Sequence, residues 1–428
     1  MTNSRKFWTL RYIVINATYF AVYSGIHAYA SVFLLEKGFT NTLIGVVLGL
    51  ANVLSAIIQP IVAGLIDKQG KLTNRNVSMA STALLILGSV LLLIITDSFA
   101  AIFIIFTLIY MVQMVYQPLI TAMYFEYEAA GCNIFYGLAR GLGSCGFAIV
   151  SLFTGRAIGK YGVTVLMVLD IIFLSIALVV LYFFKKPVSA PASSATASSS
   201  AVSDVSSAAD ISAEAASSAA ADSEPEVAHN SFFSFVRVYP AFMLFVAGAV
   251  CFFFAHNAIN DYLIQIVTPL GGTEASMGTA TFIAALLELP TMALIGKIMK
   301  RISVRNLLLI SSIAFLIKTF LMFIATNLTI VYISQAMQMF AYAVFIPAGA
   351  YFVNQTMSKL DQVKGQAYIN CSITLGGGLS CLICGRLLDL MGSHFMLTVS
   401  LIVTAAGLVI AFLALKVFGK SKARAEAS

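Results

Sequence analysis

Several charged side chains lie inside long apolar stretches of the sequence, where a charge is costly. Glu288 stands in the middle of TFIAALLELPTMALIGKIMKRI, just before Pro290, and Arg140 and Lys318 lie in two other apolar stretches. A charge at the centre of a membrane-spanning helix costs roughly 2.5–3.5 kcal/mol, so such a residue normally faces a partner or a cavity and has a function. A carboxylate in that setting can exchange a proton, and Glu288 is therefore a candidate proton carrier.

The elements that must hold these charges are predicted to be membrane helices. Of the 428 residues, 60% are hydrophobic and only 10% are charged, and the mean hydropathy is +0.94. Soluble domains carry roughly 25% charged residues, so the composition predicts an all-α integral membrane protein. Twelve stretches reach the length of about 20 residues that a bilayer requires. These spans 1 to 12 lie near 12–35, 43–66, 77–96, 100–125, 135–155, 162–184, 239–264, 277–296, 306–325, 328–355, 366–388 and 396–417.

The basic residues predict the orientation of these spans. With both termini in the cytoplasm, the inner segments hold 19 of the 25 Lys and Arg residues and the outer segments hold four. Positive residues concentrate on the cytoplasmic side of membrane proteins, so this orientation is favoured in the cell membrane. The net charge of +7 then reflects topology, and we expect no nucleic-acid partner.

A polar linker divides the chain. Residues 187–232 are mostly Ser and Ala, with six carboxylates and no Lys or Arg. Such a segment cannot bury enough apolar surface to fold, so we expect a disordered cytoplasmic linker. The predicted domains are an N-terminal six-helix bundle over 1–186, a C-terminal six-helix bundle over 233–419 and a cytoplasmic tail over 420–428.

The two predicted bundles repeat each other in sequence. TNTLIGVVLGLANVLSAIIQPIVAGLIDKQGK at 40–71 parallels TEASMGTATFIAALLELPTMALIGKIMKRISV at 273–304. GRAIGKYG at the end of span 5 likewise resembles GRLLDLMG at the end of span 11. Both halves have the same orientation, and a parallel repeat of this kind predicts alternating access to a site between the halves.

Motifs for other kinds of chemistry are missing. The sequence has no phosphate-binding loop, no metal-spaced His and Cys set and no Ser-His-Asp arrangement, so we expect neither an enzyme nor a bound cofactor. Cys381 and Cys384 have CxxC spacing, but they lie inside an apolar helix, and packing accounts for them better than redox chemistry or metal binding.

One loop resembles a known signature. GLIDKQGK at 64–71 is similar to the Gly-x-x-x-Asp-Arg/Lys-x-Gly-Arg/Lys signature of the major facilitator superfamily, although it is one residue shorter. The resemblance implies the major facilitator fold, with twelve transmembrane helices in two parallel six-helix repeats and a monomeric state. It also implies a gating loop at this position, which would contain Gly64, Asp67, Lys68 and Gly70.

A closer resemblance is to the lactose permease family of oligosaccharide/proton symporters. IIQPIVAGLIDKQG, NIFYGLARGLGSCGFAIVSLFTG, NLLLISSIAFLIKTF and QAMQMFAYAVFIP look like that family's spans 2, 5, 9 and 10. The resemblance implies that Arg140 holds solute hydroxyls and that Phe147 replaces the Trp on which the sugar stacks. The glutamate that partners this arginine falls on Ala122, with Glu126 one turn away as a possible substitute.

In the second half the family's charged residues are partly replaced. The span 8 glutamate falls on Ala285, one turn before Glu288, and the span 9 arginine becomes Lys318. The span 10 motif His-Met-Phe-Glu begins here with Gln338 and ends in an alanine. Two Asp–Lys pairs of the family become neutral, and their span 7 members are Asn257 and Asn260. These two asparagines and Gln338 are candidate solute-binding residues.

The role of Glu288 is open to more than one interpretation. Glu288 and Lys318 could form a fixed ion pair, or Glu288 could face the central cavity and exchange a proton while Lys318 modulates it or contacts solute. A third interpretation places Glu288 in a wet vestibule without a transport role. Asp261, on a polar face of span 7, and Glu126 are the other candidate proton carriers.

These observations predict proton-coupled uptake of a small polar organic solute by alternating access. The resemblance favours a sugar or an oligosaccharide as the solute. The alternatives are an uncoupled facilitator, an exporter of a non-sugar molecule and, more remotely, a transporter-like solute receptor. The expected partners are the solute and the lipid bilayer, with a proton as the coupling ion.

Overall fold

The computed structural model describes residues 5–69, 72–186, 232–358 and 361–425, and all of their regular elements are helical. Spans 1 to 6 are built from Arg5–Tyr23, Ser24–Ala28 and Ala30–Glu36, then Asn41–Gln69, Asn74–Ile94, Phe99–Ala129, Tyr136–Tyr161 and Thr164–Phe183. Phe232–Val238 precedes the second half. Spans 7 to 12 are built from Pro240–Asp261, Leu263–Val267 and Thr268–Leu270, then Glu274–Met299, Val304–Phe323, Leu328–Ala336, Met337–Met339 and Tyr342–Thr356, and finally Gln362–Ala425.

The described helices are consistent with the predicted twelve crossings. Ten helical stretches are long and apolar enough to span a membrane, and one of them is Leu328–Thr356, the three consecutive pieces of span 10 taken together. Span 1 adds an eleventh as a pair bent by 48° at Tyr29. One of the ten, Gln362–Phe418, is far longer than a bilayer needs and is broken at Gly392, where φ is +79°. Only glycine adopts that conformation readily, so spans 11 and 12 separate there.

The described residues form two compact units. The first takes those of 1–39 and 50–205, and the second takes those of 40–49 and 206–428. Most of the predicted linker and the end of the tail lie outside the described residues, so the predicted domain boundaries stay predictions.

Residues 40–49 belong to the second unit because the start of span 2 packs on span 11. The Asp389 carboxylate accepts hydrogen bonds from the backbone N–H groups of Asn41 and Thr42, at 3.0 and 2.7 Å, and from both side chains. A carboxylate at a helix start satisfies unpaired N–H groups. A Cβ on Gly45 would lie 2.0 Å from the Cys381 carbonyl oxygen, so only glycine allows this approach.

One buried tyrosine marks the repeat in each unit. The hydroxyl of Tyr29 donates to the Ser151 carbonyl of span 5 at 2.6 Å, and that of Tyr262 donates to the Cys381 carbonyl of span 11 at 2.7 Å. Tyr262 stands 233 positions after Tyr29, and Cys381 stands 230 positions after Ser151. These are the offsets of the sequence repeat at the neighbouring segments. Span 1 bends at Tyr29, and the long helix of span 7 ends beside Tyr262.

An aromatic core positions the polar residues of the second unit. Phe252 of span 7 stacks on Phe315 of span 9, with ring centroids 5.5 Å apart and planes 3° apart. His256 follows Phe252 by one turn, and Lys318 follows Phe315 by nearly one turn. Since residues three and four apart share a helix face, the stack aims both polar side chains toward the same side.

Candidate functional site

Span 10 breaks where its polar residue lies. Leu328–Ala336 ends in the 3₁₀ turn Met337–Met339, and a new helix begins at Tyr342. The turn contains Gln338, which is only 5% exposed. Ser311 of span 9 donates to the Ala341 carbonyl at 2.6 Å and so satisfies a backbone group at the break. Broken membrane helices often carry the solute and ion sites of transporters.

Gln338 bridges two charged residues. Lys318 Nζ donates to Gln338 Oε1 at 2.6 Å, and Gln338 Nε2 donates to Glu288 Oε1 at 2.8 Å. An ammonium can only donate and an ionised carboxylate can only accept, so the amide has a single favourable orientation between them. The three side chains form one polarised chain, and they join spans 8, 9 and 10.

The two charged residues that Gln338 connects are buried to different extents. Lys318 is 1% exposed, whereas Glu288 is partly exposed in the second unit. Glu288 lies near the middle of Glu274–Met299, next to the turn that contains Pro290. Sequence analysis left open whether Glu288 pairs with Lys318 or faces a cavity. The structure connects the two residues through Gln338 and leaves part of the Glu288 residue uncovered.

The polar face of span 7 makes separate contacts. Asn260 Nδ2 lies 2.9 Å from His256 Nε2, and the His256 ring stacks on Tyr342 at 5.3 Å, beside the break in span 10. Asn257 Nδ2 donates to the Phe253 carbonyl of its own helix at 2.8 Å. Among the polar residues His256, Asn257, Asn260 and Asp261 of span 7, His256 and Asn260 are therefore paired with each other.

Asp261 points toward span 11. Its Oδ2 accepts a hydrogen bond from the Cys381 thiol at 3.4 Å. Cys381 and Cys384 are both buried free thiols, which fits the packing interpretation of their CxxC spacing. A proton-carrying role for Asp261 stays a prediction.

Arg140 lies on a polar pocket in the first unit. The residues that line the pocket are Asn16, Tyr19, Phe20, Gln117, Ile120, Thr121 and Arg140. The guanidinium donates to Ser144 Oγ at 2.9 Å and lies 4.3 Å from the centre of the Phe20 ring. Spans 1, 4 and 5 all contribute to this pocket.

Phe147 and Glu126, two other predicted residues of the first unit, do not line this pocket. The ring centroids of Phe147 and Tyr23 are 6.0 Å apart, and the Tyr23 ring in turn stacks on that of His27, with centroids 4.1 Å apart. Glu126 lies 3.8 Å from Lys186 Nζ and accepts from Asn74 at 3.2 Å.

The predicted gating loop is only partly described. Gly64 lies within Asn41–Gln69, and that helix also includes the backbone of Asp67 and Lys68. The side chains of Asp67 and Lys68 and the whole of Gly70 lie outside the described residues, so the gating role stays a prediction.

Sequence reasoning missed several features of these sites. Asn16, Gln117 and Thr121 are polar residues in apolar spans, and this pattern is a signal that could have identified them. The break at Gln338 had no signal, because QAMQMFAYA contains neither glycine nor proline. Across the part of the chain that the structure describes, no three His, Cys, Asp or Glu side chains are grouped to hold a metal ion.

Apolar spanning helices in two repeated units, with polar groups held between helices, define a multi-pass membrane protein of the transporter class. The model of the MFS_1 like family matches residues 10–413. The chain belongs to this family, and the prediction of a major facilitator superfamily transporter is confirmed. The family and the fold point to a transporter rather than to an enzyme. No curated protein sequence matches the chain significantly.

Solved structures share the fold. A point mutant of the nucleoside transporter NupG is 14% identical, with a TM-score of 0.71 and coverage of 96% of this chain and 100% of that chain. A bacterial homologue of the human lysosomal transporter Spinster is 13% identical, with a TM-score of 0.64 and coverage of 97% and 98%. An auto-inhibited peptide transporter of the POT family is 10% identical, with a TM-score of 0.65 and coverage of 96% of each chain.

Proposed function

We propose that this transporter couples the uptake of a small polar organic solute to a proton, and that Glu288 is the coupling carboxylate. The observation that carries the proposal is the Lys318–Gln338–Glu288 chain at the break in span 10. A partly exposed carboxylate that is hydrogen-bonded at a broken helix can change its protonation state when the helices rearrange. In this proposal the protein lies in the cell membrane with both termini in the cytoplasm.

The chain of contacts supports a specific sequence of events. While Glu288 is ionised, the Gln338 amide donates to it and the buried Lys318 charge is balanced nearby. A proton on Glu288 weakens that charge-assisted hydrogen bond, because the acceptor becomes neutral. The conformation of span 10 can then change at its 3₁₀ turn, since Gln338 lies within that turn. Protonation and the conformation of span 10 are thereby linked.

The solute proposed from the family resemblance is a sugar or an oligosaccharide. The fold is also shared with a nucleoside transporter and a peptide transporter, although identities of 10–15% carry the fold alone. A solute panel should therefore contain sugars, nucleosides and short peptides.

The competing function is an uncoupled facilitator, and one observation favours it. The charges of Lys318 and Glu288 already balance each other through Gln338, so these two hydrogen bonds could stay intact throughout the transport cycle. Solute would then equilibrate across the membrane without a proton.

Uptake into proteoliposomes separates the two functions. We expect an inward proton gradient to drive accumulation in the wild-type protein, and Glu288→Gln to reduce it to equilibration or exchange. Glu274→Gln is the matched control, because it makes the same change in the first turn of the same helix. Accumulation that survives Glu288→Gln would contradict the role of Glu288. Equilibration without any gradient effect would establish a facilitator.

A further inference from the structure

The charge of Arg140 has no charged counterpart in the described structure. A guanidinium stays protonated under all physiological conditions. The hydrogen-bond partner of Arg140 is the neutral Ser144 hydroxyl, and its guanidinium lies over the neutral ring of Phe20. Within the described ranges, no carboxylate forms an ion pair with Arg140.

Two carboxylates of the first unit have partners other than Arg140, and a third described carboxylate, Asp170, forms no ion pair with it. Glu126 contacts Lys186 and Asn74, and Glu128 accepts from the backbone N–H of Ile134 at 3.2 Å. Asp170 is buried in span 6 beside Gly25 of span 1. A partly buried cation without a partner is costly in a membrane helix, so Arg140 is held at an energetic disadvantage that a bound anion would relieve.

The side chains around the pocket beside Arg140 have the chemistry to recognise an anion that also carries hydroxyl groups. Gln117 and Thr121 line it, and their side chains make no hydrogen bonds within the part of the chain that the structure describes. Gln117 is exposed. The Tyr19 and Phe20 rings supply an apolar surface. The pocket therefore combines a positively charged guanidinium, neutral hydrogen-bonding side chains and two aromatic rings.

We propose that the solute is a small hydroxylated carboxylate, of the chemical class of the sugar acids, and that its carboxylate binds Arg140. The planar fork of a guanidinium matches the two oxygens of a carboxylate. One carboxylate charge balances one Arg140 charge, whereas a doubly charged phosphate would leave an excess negative charge in the pocket. Gln117 and Thr121 then hold the hydroxyl groups. This inference rests on the proposed function: with one proton carried together with one anion, the transported pair is electrically neutral.

Ligand-induced stabilisation of the purified full-length protein tests the solute charge directly. The probes are gluconate, glucuronate and galacturonate as carboxylates, with glucose and galactose as neutral counterparts, glucosamine as a cation and glucose 6-phosphate as a phosphate. We expect at least one carboxylate to raise the thermal unfolding midpoint in a saturable way. The neutral and cationic sugars should not do so at the same concentrations.

Variants connect this binding to Arg140. Arg140→Gln should weaken carboxylate binding by about tenfold to a hundredfold, since hydrogen bonds to charged groups are the stronger ones, and Arg140→Lys should keep part of the affinity. Arg156→Gln is the matched control, because Arg156 lies on the same helix and also on an aromatic ring, that of Phe153 at 6.0 Å. It should leave binding unchanged. Unfolding midpoints without probe show whether each variant is folded.

Each other outcome overturns one identified part of the account. Stabilisation by neutral sugars alone, by glucose 6-phosphate in preference to the carboxylates, or by no probe overturns the inference. Carboxylate binding that Arg140→Gln leaves intact overturns the assignment to Arg140. Carboxylate binding without proton-driven accumulation contradicts the proposed coupling and leaves the inference standing, so the two failures can be distinguished.

Discussion

The two units of the molecule share a scaffold and differ in the charges they hold. Each has a buried tyrosine that braces a helix end against the carbonyl of a partner helix, at Tyr29 in the first unit and at Tyr262 in the second. The first unit holds Arg140 among neutral partners. The second holds Lys318 and Glu288, which Gln338 connects.

The same contrast appears at equivalent positions of the repeat. Tyr23 and His27 are stacked in span 1, and 233 positions later His256 and Asn260 are hydrogen-bonded in span 7. The helix geometry brings residues four apart together in both units, but their chemistry has changed. The backbone contacts of the repeat are therefore kept while its polar side chains diverge. In our account the first unit binds the anion and the second exchanges the proton.

The largest effect on stability should come from breaking the charge balance of the second unit. Glu288→Leu leaves Lys318 buried without its counter-charge and should cost about 3 kcal/mol of unfolding free energy. Replacing both residues, as Glu288→Leu with Lys318→Met, should recover much of that loss. Thermal unfolding in detergent of the four proteins of this cycle measures the coupling. Additive losses would show that the two charges do not depend on each other.

A smaller and equal effect is expected from the two tyrosine braces. Tyr29→Phe and Tyr262→Phe each remove one buried hydroxyl hydrogen bond, which should cost about 1 kcal/mol. The same unfolding assay should give similar losses for both variants. A loss of several kcal/mol in one and none in the other would contradict the structural equivalence of the two braces.

The smallest effect should come from the half-exposed ion pair of the first unit. The Glu126 and Lys186 side chains are 25% and 42% exposed, and surface pairs of this kind contribute about 1 kcal/mol or less. Glu126→Gln should therefore change stability little and leave proton-driven uptake intact. A loss of accumulation in this variant would transfer the coupling role from the second unit to the first.

The sequence predicted the large-scale architecture well for a physical reason. Spanning helices must be long and apolar, and the repeat shares its offsets with contacts such as Tyr262 to Cys381, so hydropathy and internal similarity were sufficient. The sequence offered a Glu288–Lys318 pair as one interpretation, but it did not predict that Gln338 lies between the two. Their connection depends on the break in span 10, and a short 3₁₀ turn without glycine or proline has no local sequence signal.

The Arg140 site was predicted in part. The embedded arginine was visible in the sequence, and the resemblance gave it a solute-binding role. Its neutral surroundings were not predictable, because the direction in which Glu126 points depends on tertiary packing. Asn16 and Thr121 could have been identified as polar residues in apolar helices, but their convergence on Arg140 required the structure.

In our account Arg140 of the first unit binds the anion and Glu288 of the second unit exchanges the proton. The most direct test measures binding and accumulation of one carboxylate in Glu288→Gln and Arg140→Gln side by side. The carboxylate is the one that stabilises the wild-type protein, and the accumulation is driven by an inward proton gradient in proteoliposomes. The account predicts that Glu288→Gln keeps binding and exchange but loses accumulation, whereas Arg140→Gln loses binding itself. The opposite pattern, or the same defect in both variants, would contradict the assignment of separate tasks to the two units.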